Sequence, residues 1–345
     1  MSAPLIPPTH GHPGARVLAR IAATEELGAF HRLTVEVPGL RPTELGSKKA
    51  LPGQFALLQA EPSRCFLPRA FSIADHDKDS VSFLIAPIGD GSRELSALPV
   101  GSKVWVLGPL GRGFDLPAIM DGSLADGTAG PSRNGSVGQG GRATRLVVVA
   151  GGAGLAPFPL LLRCIGDLVS AGGKTAGPAT KEVLVLVGYR DRSQVPGGQV
   201  LHDAAERLRE RGVACRVIEV SEDGSCGQEG LVTAPLAKNL ADGDRVVVCG
   251  PQAMAAAVWD VCREAPRVRT WFSLEAGMAC GVGACHGCVI PLADGTMARV
   301  CFEGPVFAGE EVFSGGVGEP PVVSKAPGTS GLGPACGASE GARRS

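Results

Sequence analysis

Arg145-Leu-Val-Val-Val-Ala-Gly-Gly-Ala-Gly-Leu-Ala-Pro157 is an apolar run that breaks into glycines and then meets a proline. A short apolar run bounded by glycines reads as a strand buried on both faces, as in parallel sheets. Pro157 suits the first turn of a helix, where its missing N–H has no intrahelical partner to lose. The stretch therefore reads strand, glycine-rich turn, helix. In that setting a dinucleotide phosphate can meet backbone N–H groups at a helix start. The pattern departs from G-x-G-x-x-G, because Ala156-Pro157 stands where the last glycine would fall. Gly152, Ala153, Gly154, Leu155, Ala156 and Pro157 are the candidate nucleotide contacts, and a plain strand–turn–helix is the alternative.

Downstream, apolar runs at 183–188, 216–220, 245–249 and 269–273 alternate with helical patterns at 157–170, 200–211 and 252–264. That rhythm predicts an α/β domain with a parallel sheet. Val248-Cys249-Gly250-Pro251-Gln252 falls at a strand's C-terminal end, where open α/β sheets bind ligands. Cys249, Gly250 and Pro251 join the candidates there, although a buried core cysteine is an equally simple reading of Cys249.

Upstream the rhythm differs. Short β-patterned segments at 16–23, 31–37, 54–59, 70–74, 80–86 and 103–107 predict a β-barrel or sandwich. One of them opens Arg69-Ala70-Phe71-Ser72-Ile73. An arginine can grip a pyrophosphate with paired hydrogen bonds. Phe71 and Ser72 alternate along the strand, so one can stack on a ring while the other's hydroxyl faces the ring's edge. By itself Arg-x-Phe-Ser could begin any strand. Gly89-Asp-Gly91-Ser92 adds a second anion-binding pattern before a helical turn, with an ordinary capped turn as the plainer reading.

Near the C-terminus stands Cys280-Gly-Val-Gly-Ala-Cys285-His-Gly-Cys288, followed after twelve residues by Cys301. Four soft thiolates select an iron–sulfur cluster or zinc. The C-x4-C-x2-C opening is the plant-type [2Fe-2S] spacing, and the interleaved glycines let a loop turn tightly around sulfur. Structural zinc or unligated core thiols remain open. Zinc sites usually show a second C-x2-4-C hook, which is missing, and His286 has no second histidine to make a Rieske pair.

The chain has 345 residues, 44% of them hydrophobic, and a formal net charge of −1. That length allows about two or three domains. The charge leaves no basic footprint for nucleic acid. Seven of the 11 cysteines (Cys65, Cys164, Cys215, Cys226, Cys249, Cys262, Cys336) are scattered rather than framed for disulfides. A reducing, cytoplasmic location is expected. The first residues lack a basic stretch followed by an apolar one, so no signal peptide is expected. The uncharged run 146–162 approaches spanning length, but its glycines and prolines argue against membrane insertion.

With these motifs in this order, the chain resembles the electron-transfer subunits of class 1B dihydroorotate dehydrogenase, in the ferredoxin–NADP reductase superfamily. The resemblance runs from about residue 15 to 318. It is most specific in Leu107-Gly-Pro-Leu-Gly-Arg-Gly-Phe-Asp-Leu116, Ser273-Leu-Glu-Ala-Gly-Met-Ala-Cys280 and Cys301-Phe-Glu-Gly-Pro-Val-Phe307, and in the short gap before Cys301. It implies a ferredoxin-reductase-like fold: an antiparallel β-barrel for FAD, a parallel-sheet α/β domain for NAD, and a small C-terminal [2Fe-2S] domain. The corresponding division is a flexible arm (1–13), FAD barrel (14–118), Gly/Ser-rich linker (119–143), NAD domain (144–268), cluster domain (269–318) and disordered tail (319–345).

The resemblance further implies that Arg69, Ala70, Phe71 and Ser72 hold the flavin, with Leu84, Ile85 and Ala86 beside it and Gly91 and Ser92 near its pyrophosphate. NAD would lie over Gly152–Pro157 and Cys249–Pro251, with the 223–230 segment near the nucleotide. Cys280, Cys285, Cys288 and Cys301 would ligate the cluster. Ser72 and Cys249 would border the reacting rings, with no protein acid or base essential. The implied partner is an FMN-containing dihydroorotate dehydrogenase catalytic subunit, in a heterotetramer of two of each, working in pyrimidine (UMP) biosynthesis. The alternative keeps the cofactors and serves another redox partner, such as a hydrogenase or ferredoxin. A zinc-stapled nucleotide-binding protein without redox activity is a third reading. Departures from the family's usual pattern are Ala70 in place of proline, Cys226 in place of an aromatic, Pro and Gly within 189–200, and a long 121–142 insertion.

Overall fold

A computed structural model describes residues 16–37, 50–121, 145–170, 182–265 and 267–313. The arm and tail expected from the sequence lie outside the described residues, as does the linker from residue 122.

The N-terminal half is a closed barrel of β1 (Arg16–Leu27), β2 (Phe30–Glu36), β3 (Phe55–Glu61), β4 (Arg69–His76), β5 (Ser80–Ile85) and β6 (Lys103–Leu110), in the order β1-β2-β5-β4-β3-β6. Each neighbouring pair is antiparallel. Alternation decides which side chains fill it. Ala56 and Leu58 of β3 point into the barrel core with Ile21, Leu33, Phe83 and Ile85, whereas Phe55 and Leu57 point outward into a different core. Helix α1 (Asp90–Ser96) joins β5 to β6, and α2 (Leu116–Asp121) follows β6.

The second half alternates strand and helix: β7 (Arg145–Gly151), α3 (Phe158–Ser170), β8 (Glu182–Tyr189), α4 (Val195–Glu210), β9 (Ala214–Ser221), β10 (Gln228–Glu229), α5 (Thr233–Asn239), β11 (Arg245–Cys249), α6 (Gln252–Arg263) and β12 (Arg269–Ser273). After β12 come the hairpin β13 (Val289–Pro291) and β14 (Met297–Arg299), then β15 (Val306–Ala308) and α7 (Gly309–Val312). The sheet order is β10-β9-β8-β7-β11-β12-β15. All its pairs are parallel except β12 with β15.

Three features differ from the sequence reading. Helix α4 begins at Val195, within the stretch read as a loop. Pro196 sits in its first turn, where a missing N–H is harmless. Gly197 and Gly198 are there for contact: a Cβ on Gly198 would lie 1.8 Å from the Tyr189 hydroxyl, and one on Gly197 would lie 2.2 Å from the Phe30 ring. Helix α5 was not anticipated, since seven residues are too few to show a clear period. Lastly, the division at residue 269 cuts through the sheet: β12, already read as one of its strands, pairs with β11, and β15 returns from the cluster segment to pair with β12. Among the described residues, the run Gly152–Ser170 is long and apolar enough to cross a membrane by length and composition, and more than half of it is buried inside the fold. Its apolar side chains are the core of the α/β half, Phe158, Leu161, Leu162 and Ile165 among them.

Just before the start of β11, Asp244, 0% exposed, closes an ionic network. It accepts from Arg145 Nη2 at 2.6 Å, from Arg145 Nε at 3.1 Å and from the Ala241 N–H at 2.8 Å. Asp244→Ala removes the closest anion from the Arg145 guanidinium, leaving it Glu182 at 3.7 Å and the Asn239 carbonyl. The expected loss is about 3–5 kcal/mol, read from the midpoint of urea unfolding; an unchanged midpoint would show that water replaces the carboxylate.

Candidate cofactor sites

The C-terminal ends of β7, β11 and β12 meet at one edge, with Ala150, Cys249 and Ser273 aligned by register. After β7 the chain makes a single 3-10 turn, Gly152–Leu155, before α3. Gly154 lies flat against the Cys249–Gly250 peptide: a Cβ there would stand 2.2 Å from Cys249 O and 2.6 Å from Gly250 N. The Met254 thioether covers Gly151 and Gly250, whose own Cβ atoms would fall 2.5 Å from its Sδ and 2.3 Å from its Cε. By contrast Gly152 has a φ of +53 and nothing within 4 Å of a Cβ, so its face of the turn is open. The two glycine loops predicted to hold a nucleotide are thus locked together, with an open surface at Gly152.

Cys249 is buried. Burial pushes its thiol well up, the nearby Glu275 carboxylate adds to this, and the Ser273 hydroxyl opposes it. Protein atoms crowd the Glu275 carboxyl and raise its pKa, although solvent still reaches the side chain. Sequence reasoning missed Glu275. Its signal was an acid two residues past the end of an apolar strand, at the edge where such sheets bind ligands. The 223–230 segment is held to the end of β8 by Arg192, whose Nη2 donates to Ser225 O at 2.8 Å. Cys226 takes part through its backbone, with its N–H and O bonded to Ser221 Oγ at 3.0 and 2.7 Å, so the turn does not need an aromatic side chain.

On the barrel, Arg69, Ala70, Phe71 and Ser72 pair with Leu58, Leu57, Ala56 and Phe55 of β3. Arg69 folds back so that Nη1 donates to Leu67 O at 2.8 Å, and its side chain packs on Gly91, where a Cβ would lie 2.8 Å from Nε. Arginine and glycine turn therefore stand side by side, as a pyrophosphate site requires. Ser92 is partly committed: its hydroxyl accepts the Gly89 N–H and donates to Gly89 O, both at 3.0 Å, closing the turn before α1. Ser72 is half-buried, and among the described residues its hydroxyl has no hydrogen-bond partner. Leu84 and Ile85 are 3% and 0% exposed, Ile85 inside the barrel, so that residue can present only backbone to a ligand; Ala86 is partly buried beside them.

The four cysteines fall into two pairs. The Cys285 N–H donates to Cys280 Sγ and the Cys301 N–H to Cys288 Sγ, each at 3.4 Å. Gly283 N–H reaches Cys301 Sγ at 3.1 Å and Gly287 N–H reaches Cys285 Sγ at 3.4 Å. Burial opposes ionisation of Cys280, but N–H groups of Val282, Cys285 and Ala284 outweigh it, and the thiol comes down to about 7. Burial and then Cys288 push the Cys301 thiol up to about 12. Cys288 and Cys301 are buried, Cys280 is half-buried and Cys285 is exposed. Among the described residues no three His, Cys, Asp or Glu side chains gather for a single metal ion. Two thiol pairs, each with backbone N–H groups aimed at sulfur, suit a two-iron cluster better than one tetrahedral zinc.

Residues 275–313 match the family described as the iron-sulfur cluster binding domain of dihydroorotate dehydrogenase B, and residues 148–260 match the oxidoreductase NAD-binding domain. Among curated relatives, a dihydroorotate dehydrogenase B (NAD(+)) electron transfer subunit of Listeria monocytogenes is 33% identical over 266 residues, covering 76% of this chain and 87% of the relative. The protein of the same name from Caldanaerobacter subterraneus subsp. tengcongensis is 29% identical over 302 residues, covering 87% of this chain and 97% of the relative. Among solved structures, an NADH-dependent reduced ferredoxin-NADP oxidoreductase superposes with a TM-score of 0.62 at 21% identity, covering 86% of this chain and 90% of that one. A ferredoxin NADP+ reductase from Neisseria gonorrhoeae gives 0.54 at 15% identity, covering 75% of this chain and 99% of that one. These two establish the ferredoxin-reductase-like fold.

Gly154→Ala forces the 3-10 turn and the Cys249–Gly250 peptide apart. A misplacement of that size is expected to weaken NADH binding on the order of 100-fold, measured by titration, while flavin and iron content stay as in the parent. Unchanged NADH affinity would place the nucleotide elsewhere.

Proposed function

The chain belongs to the family of dihydroorotate dehydrogenase B electron-transfer subunits, and from that premise we propose its specific role. It is an oxidoreductase component that moves electrons between an iron–sulfur cluster, FAD and NAD+. On our reading a separate FMN-bearing catalytic subunit oxidises dihydroorotate in pyrimidine (UMP) biosynthesis, and two copies of each subunit assemble. Cys280, Cys285, Cys288 and Cys301 would hold the cluster that accepts single electrons from that subunit, and the glycine loops after β7 and β11 would hold the NAD+ that carries them away as hydride. Flavin supplies the chemistry that joins one-electron to two-electron transfer.

The observation that carries this reading is the pairing of Cys280 with Cys285 and of Cys288 with Cys301, at a loop packed on the barrel strand opposite Ala70. The residues of this chain bind, orient and exclude water. Arg69 and the Gly91 turn would hold a pyrophosphate; Ser72 would present its hydroxyl to the ring edge. Gly152 through Pro157, with Cys249, Gly250 and Pro251, would seat the nicotinamide nucleotide, and buried Cys249 would keep water from its ring. Exposed Cys285 marks the pole that a partner can approach.

Two measurements test the proposal. Anaerobically purified protein should carry flavin and two-iron cluster absorbance, with iron and not zinc by metal analysis. Cys285→Ser should remove most of the cluster signal and leave most of the FAD; unchanged iron content would refute the ligand assignment. Co-expressed with the catalytic subunit, the complex should reduce NAD+ with dihydroorotate. Isolation with a partner lacking FMN, or no orotate-linked NAD+ reduction, would favour service to another redox protein.

A further inference from the structure

Gly281 follows Cys280 and has a φ of +68, in the left-handed region. A Cβ there would lie 2.8 Å from Leu57 Cδ1, 3.0 Å from Leu57 Cγ and 3.1 Å from Leu110 Cδ1. The backbone beside the first cluster ligand is therefore pressed onto side chains of β3 and β6. Leu57 is the register partner of Ala70, between Arg69 and Phe71. It points out of the barrel into a core shared with Cys288 and Cys301, whereas its neighbours Ala56 and Leu58 point in. One leucine side chain thus spans the space between the cysteine loop and the strand read as the flavin's. The other side of the loop, 284–287, is exposed. The cysteine loop has one dry face, turned to the barrel, and one wet face.

We propose that the Gly281–Leu57 contact sets the gap electrons cross between cluster and flavin, which makes both positioning residues for the one-electron step. The inference rests on the reading above that the chain holds both groups. Electron tunnelling falls steeply with distance and is poorer through a water-filled gap than through packed atoms. Glycine suits position 281 on two counts: its φ lies in the left-handed region, and a Cβ there would press on Leu57 so that either the leucine or the loop must shift. The redox balance is simple. NADH gives the flavin two electrons as hydride. One of them then reduces one Fe3+ of the cluster to Fe2+, and the other stays on the flavin.

The test uses the full chain, prepared anaerobically and mixed with NADH in a stopped-flow instrument. Flavin bleaching reports hydride transfer, and cluster absorbance reports the one-electron step. Gly281→Ala and Leu57→Ala should slow cluster reduction on the order of 10- to 100-fold, the scale of response to a misplacement of about 1 Å. Flavin bleaching, iron content, the EPR signature of the reduced cluster and its midpoint potential should match the parent. Leu57→Met, which conserves volume, should restore a rate close to the parent's. If Gly281→Ala loses iron, the two Leu57 variants decide. Parental cluster reduction in Leu57→Ala with full flavin and iron overturns the inference and leaves the functional reading standing. A parent chain without flavin or iron removes that reading, and this inference with it.

Discussion

Strand β7 is buried on both faces, and its alternation places everything else. Leu146, Val148 and Ala150 enter one core with α3, α4 and the barrel residues Phe30 and Leu84. Val147 and Val149 enter the other, with Phe55, Leu57 and Leu110 of the barrel and Cys288 and Cys301 of the cysteine loop. Each fully buried valine, leucine or phenylalanine among them contributes about 1.5–3 kcal/mol by leaving water. A one-residue slip would exchange the two cores. Barrel, sheet and cysteine loop therefore take their mutual positions from the same few residues. The Arg112–Pro305 bridge and the hydrogen bond from Leu274 N–H to Pro305 O, at 2.9 Å, tie the same pieces together at their rim.

That arrangement suits relay of electrons. A relay needs groups close together, held rigidly and kept dry where electrons pass, with one end open to a partner. The cysteine loop has those two sides: Cys288 and Cys301 are sunk in the shared core, while Cys285 is exposed. At the sheet edge, Gly154 against the Cys249–Gly250 peptide fixes two loops that come from strands far apart in sequence.

Much of this was legible in the residues. Periodicity separates barrel from α/β half, because alternation and continuous apolar runs are consequences of one buried face or two. The cysteine spacing is local chemistry, and so is the Arg69–Ser72 strand. What escaped was contact across distance. The early start of α4 depends on Gly197 and Gly198 meeting Phe30 and Tyr189, so its one proline and two glycines hid that start in the sequence. Glu275 stands out only once β12 is seen beside β11. The hydroxyl of Ser92, expected near a pyrophosphate, also closes its own turn, the plainer of the two readings given to that segment.

By itself the sequence determined the barrel strands, the longer strands and helices of the α/β half, the order of the two halves and the candidate metal and phosphate side chains, since these follow from local periodicity and residue chemistry. Only the tertiary structure decided that β12 and β15 bind the cysteine segment to the nucleotide sheet, that the thiols form two pairs with one pole exposed, and that Gly281 lies on Leu57. Those depend on the packing of residues that are not neighbours in sequence, and close packing is a property of three-dimensional neighbours that no local pattern records.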